Sequence, residues 1–155
     1  VKTYSDNLEL ATVTMLKGAG DAEDCGNLIK NVWYNAIYKE KDDETDKYTR
    51  PDGYFVSDFN DALGNLFVDS SFSSKIDSID KNQDTVNSLM KKLKNPPEEY
   101  KDAYDALSDF YDAYLALTGC ATDPSGSLQT YSSTFNDADT DTLNAYKAMQ
   151  QYLGD

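Results

Sequence analysis

Apolar or small residues recur at Leu8, Ala11, Met15, Gly18, Ala22, Cys25, Ile29, Val32 and Ala36. The steps alternate between three and four, which puts every one of them on a single face of an α-helix and predicts a helix over about 5–39. Lys17-Gly18-Ala19-Gly20 interrupts it. Each interior glycine costs ~1 kcal/mol relative to alanine, so a kink or a closely approaching neighbour is expected there. Gly18, Ala22 and Gly26 fall at i, i+4 and i+8. They make a shallow strip on which a large side chain of another helix can rest, and the later tyrosines suit it.

Residues 42–53 join a charge run to Pro51-Asp52-Gly53 and read as a loop. Beyond it, Phe59, Leu63 and Leu66 open a second stripe, which Phe72, Ile76, Ile79, Gln83, Val86, Met90 and Leu93 continue out of phase. The slip falls at Asp69-Ser70-Ser71, so a helix over about 58–93 should bend near 69–71. Lys91, Lys92 and Lys94 suit its negative pole. Asn95-Pro96-Pro97-Glu98-Glu99 then reads as a cap, a first-turn proline and first-turn acids, opening a helix over about 96–118 that Gly119 should end. Its core face is Tyr100, Ala103, Tyr104, Leu107, Phe110, Tyr111, Tyr114, Leu115 and Leu117, with Asp102, Asp105, Asp109 and Asp112 opposite. Ser127 caps a last helix, about 127–153, with Leu128, Tyr131, Phe135, Ala138, Thr142, Ala145, Met149 and Tyr152 in heptad phase. The expected architecture is all-α: an antiparallel up-down-up-down four-helix bundle with a longer first hairpin, formed by the whole chain as one domain.

Composition narrows the chemistry. The 155 residues contain no histidine, which removes serine triads, Cys-His sites and histidine-bearing zinc or di-iron sites. The net charge of −14 is uneven: residues 1–41 carry −1, 42–60 carry −4, 61–95 carry none and 96–155 carry −9. Such a surface repels phosphate backbones, so direct nucleic-acid binding is not expected. No apolar run is long enough for a transmembrane segment.

The cysteines carry a geometric expectation. In the bundle Cys25 stands ~30 Å above the start of the first helix and Cys120 ~35 Å above the start of the third, so the two are level. A Cys25–Cys120 disulfide is expected, which favours an oxidising compartment; two buried free thiols are the alternative.

Lys92-Leu93-Lys94-Asn95-Pro96-Pro97-Glu98-Glu99-Tyr100, followed by Ala103-Tyr104, Tyr111, Tyr114-Leu115, Asp123-Pro124-Ser125-Gly126-Ser127-Leu128 and Phe135-Asn136, resembles uncharacterised secreted or lipid-anchored helical-bundle proteins of Gram-positive bacteria. The resemblance covers mainly residues 92–136. It implies an extracellular or cell-surface helical domain, with a lipid anchor upstream of Val1 compatible with it, and it implies no activity.

Candidate sites are few. Asp102, Asp105, Asp109 and Asp112 point away from the apolar stripe and read as a solvated face. Asp137-Ala138-Asp139-Thr140-Asp141 opens like a calcium loop, but Thr142 stands where glycine is needed and Ala148 where glutamate is needed. Asp42, Asp43, Glu44 and Asp46 read as a solvated loop. No catalytic residue, metal or cofactor is expected. Aromatic density rises instead at the far end of the first hairpin: Trp33, Tyr34 and Tyr38 at the helix end, Tyr48, Tyr54 and Phe55 in the loop. Either the loop folds back and covers Tyr34 and Tyr38 as a mini-core, or these residues form a contact surface for a protein or a cell-surface glycan. The expected function is a non-catalytic binding or structural module. An acidic decoy that imitates nucleic acid before a basic protein is the alternative, and a carboxylate-based enzyme, which needs a pocket holding acids of raised pKa, comes third.

Overall fold

The computed structural model describes residues 2–153. Among the described residues there are six α-helices and no strand: α1 (Lys2–Tyr38), α2 (Asp46–Thr49), α3 (Phe59–Val68), α4 (Ser70–Leu93), α5 (Lys101–Thr122) and α6 (Leu128–Gln150), with a 3₁₀ turn at Glu98–Tyr100 before α5. α1 packs against each of the other five. Its stripe from Leu8 through Met15, Cys25 and Ile29 to Ala36 is buried against Phe72, Val86, Leu107, Phe110, Tyr114 and Phe135.

Close approach accounts for Gly18 and Gly26 of α1, while Gly20 faces open space. A Cβ at Gly18 would collide with the Asn82 side chain and press on the Tyr114 ring, and one at Gly26 would collide with the Phe135 ring. Around Gly18 the contact is also polar. The Tyr114 hydroxyl donates to Asn82 Oδ1, and Asn82 Nδ2 donates to the Thr14 carbonyl at 2.9 Å, so one amide ties α1, α4 and α5 together. The partners of α1 in α4 descend as α1 ascends: Tyr4 bonds the Leu93 carbonyl at 2.8 Å, Thr14 meets Asn82.

The phase slip of the second stripe is a complete break. Asp69 has extended backbone (φ −63°, ψ 129°), ends α3 and caps α4, its side chain accepting from the Phe72 N–H. α5 departs from expectation at both ends. Asn95 adopts a left-handed φ of 58°, Pro97 is extended, and the α-helix begins at Lys101 rather than at the prolines. Proline excludes the α conformation from the residue before it, and asparagine tolerates the left-handed alternative. At its other end α5 runs through Gly119 to Thr122, because Cys120 and Ala121 are buried and extend the apolar face by one more turn. Packing there outweighs the glycine penalty. Ser127 caps α6 as expected, in a reciprocal capping box with Thr130.

Candidate contact site

The aromatic cluster at the far end of α1 divides. Trp33 is 3% exposed and lies between Phe59 and Tyr131, each 5.5 Å away by ring centroid. Tyr48 is 5% exposed, and Phe55 is half-buried with the Arg50 guanidinium 5.4 Å from its ring. Trp33 belongs to the seam of α1 with α3 and α6, and Tyr48 and Phe55 to the packing of the loop. Tyr54 is 81% exposed and stands apart on the loop.

The loop does fold back, but it meets α1 at Asn35 and leaves Tyr34 and Tyr38 uncovered. Asn35 Nδ2 donates to Thr45 Oγ1 at 3.0 Å, Asn65 Nδ2 donates to the Tyr48 carbonyl at 3.0 Å, and Thr45 and Thr49 are fully buried. Two of its acids bond the loop backbone, Asp42 Oδ1 accepting from the Glu44 N–H and Asp46 Oδ1 from the Asp42 N–H, while Asp42, Asp43 and Glu44 stay exposed. The expected cover over Tyr34 and Tyr38 is therefore absent. They are 48% and 58% exposed, and their rings pack against each other at 4.6 Å with a 40° tilt.

These two rings wall a groove of about 630 Å³ between the end of α1 and the start of α6. Lys30, Asn31 and Ile37 complete the α1 side; Ser127, Leu128, Gln129 and Ser132 form the other. Lys30 is held in place, its ammonium 3.3 Å from Asn136 Oδ1 and 4.9 Å from the Phe135 ring centroid. Ser127 is occupied by the α6 cap. Tyr34 and Tyr38 are legible in the sequence because they lie off the apolar stripe. The α6 wall is not, although Ser127 marks the start of that helix, because it is set by how α6 packs beside α1.

A second feature was not anticipated. Glu23 of α1 and Asp139 of α6 face each other in a hydrogen-bonded carboxyl pair, lining a pocket of about 130 Å³ with Leu16, Leu117, Leu143 and Tyr146. The bond to Asp139, then burial, push the Glu23 pKa up to about 7. Each acid directly follows a core alanine, Ala22 or Ala138, which places it on the edge of the seam. A third hollow, of about 390 Å³ between α5 and α6, is bordered by Asp109, Asp112 and Asp141.

The expected disulfide is not formed. Cys25 and Cys120 are free and buried. Cys120 lies inside the last turn of α5 rather than in a loop, and the Tyr131 hydroxyl donates to its carbonyl at 2.6 Å. Helical backbone fixes both side chains as core atoms, and burial pushes the Cys25 thiol up to about 11. No helix among the described residues is long and apolar enough to cross a membrane. Comparison with known proteins returns nothing similar: no family model, no curated protein and no solved structure matches the chain.

Proposed function

We propose that this chain is a non-catalytic contact module of a bacterial cell-surface protein, built as an antiparallel four-helix bundle of α1, α3 with α4, α5 and α6, and that the α1–α6 groove is its contact site. One observation carries the reading: Tyr34 and Tyr38 stand in the open on a groove while the neighbouring Trp33 and Tyr48 are consumed by the core. Large aromatic side chains left outside the core supply contact area at low entropic cost. The extracellular setting rests on the resemblance over residues 92–136, since the thiols lend it no support; a lipid anchor before Val1 would lie outside the described residues. Protein and cell-surface glycan are both partners of the right kind, and direct nucleic-acid binding is disfavoured by the net charge of −14. Sedimentation with isolated Gram-positive cell walls tests the reading. The wild-type chain should co-sediment and the Tyr34→Ala/Tyr38→Ala variant should lose at least about tenfold in affinity; equal sedimentation of the two, or none by the wild type, would overturn it.

The acidic hollow of Asp109, Asp112 and Asp141 supports a second reading, a decoy for a basic protein. It predicts association with a basic partner that weakens steeply with salt. An enzyme on the Glu23–Asp139 pair is the weakest reading, because the two carboxyls are engaged with each other and the pocket is only about 130 Å³.

A further inference from the structure

The chain carries 28 aspartates and glutamates, yet among the described residues no carboxylate lines the groove between α1 and α6. Its single cation is Lys30, already directed at Asn136 and the Phe135 ring. The groove is thus a carboxylate-free window, with one lysine at its edge, on a chain of strongly negative net charge. It presents two kinds of surface. One is the tilted Tyr34–Tyr38 pair, an apolar wall with a phenol hydroxyl on each ring. The other is a set of unspent polar groups: among the described residues, Asn31, Gln129 and Ser132 have no side-chain hydrogen-bond partner.

From this pairing we infer that the groove binds a neutral glycan, one pyranose ring lying with its C–H face on Tyr34 and Tyr38 and its hydroxyls meeting Asn31, Gln129 and Ser132. The inference rests on the contact-site reading above and names its ligand class. A sugar ring has one apolar face and a rim of groups that each donate and accept; primary amides and hydroxyls do the same, whereas carboxylates only accept and ammonium groups only donate. A basic peptide would find no counter-charge here, and an acidic one would find a single lysine and would have to cross a field of like charge to reach it. The volume of about 630 Å³ also falls in the range of small-ligand sites.

The test is saturation-transfer NMR of the whole chain with a panel of neutral oligosaccharides, chitohexaose, cellohexaose and mannohexaose, alongside the cell-wall sedimentation. At least one sugar should receive saturation, strongest at its ring C–H protons. Tyr34→Ala and Tyr38→Ala should each weaken it by about tenfold or more, and Asn31→Ala with Gln129→Ala by a smaller factor, in variants whose helical circular dichroism matches the wild type. Tyrosine-dependent sedimentation with no transfer to any of these sugars would overturn the glycan assignment and leave the contact site standing, pointing to the peptide part of the wall. Transfer that persists in the tyrosine variants would overturn both.

Discussion

Glu23 and Asp139 approach from facing helices, and no lysine or arginine is paired with either among the described residues. Asp24 adds a further negative charge nearby. Two carboxyls so placed cannot both ionise cheaply, and the folded chain holds a proton on Glu23 up to a pKa of about 7, above the ordinary carboxyl value of 4.5. The sign follows from linkage. Between these two values the folded state binds more protons than the unfolded state, so this pair's stabilisation is full below about pH 4.5 and is lost as pH rises through 7. Glu23→Gln keeps a donor toward Asp139 and cannot ionise. Urea unfolding should find it more stable than the parent at pH 8, by about 1 kcal/mol after allowance for solvent screening, with the difference vanishing near pH 4.5. A variant less stable than the parent at pH 8 would show that the pair is not strained by charge. At this scale the sequence was legible for most residues on or opposite a stripe, as for Tyr34 and Tyr38, but Leu115 and Tyr152, expected on the core face, are exposed. It was not legible for Trp33, whose burial depends on Phe59 and Tyr131 closing over it from distant parts of the chain.

Elements repeat that contrast. The four apolar stripes located the long helices, since a period near 3.6 depends only on local spacing, while the short α2 lies within residues 42–53, which read as a loop. Their ends depended on tertiary packing. The last turn of α5 forms because Ala121 and Cys120 are buried, and the prolines before it give a short 3₁₀ turn rather than a helix start. The glycines of α1 show how one residue type takes opposite roles within one helix. Gly20 has nothing within 4 Å of an added Cβ, so Gly20→Ala should raise stability by up to about 1 kcal/mol through helix propensity. Gly26→Ala drives a methyl into the Phe135 ring and should cost about 1–3 kcal/mol. Paired thermal melts of the two variants check both signs, and equal behaviour would mean that α1 does not pack against α6 as described.

For the whole molecule, the all-helical class was legible and the cross-link was not. The level of Cys25 and Cys120 along their helices is a necessary condition for a bridge, but the direction of each side chain is set by the turn it sits in. Two buried thiols predict that the native, unreduced protein resists a thiol reagent and exposes both sulfurs on unfolding. A titration of the unfolded, unreduced chain that finds no free thiol would restore the bridge. The larger consequence of the fold is a division of labour: Trp33 is buried between α3 and α6 and Tyr48 joins the loop to α3, while Tyr34 and Tyr38 stay half-exposed on the groove. The most direct measurement of that division is the unfolding free energy of the Tyr34→Ala/Tyr38→Ala variant. The account predicts a loss of no more than about 1 kcal/mol, as for exposed positions. A loss of about 3 kcal/mol or more, the size expected of buried aromatic side chains, would return both tyrosines to the core and remove the contact site.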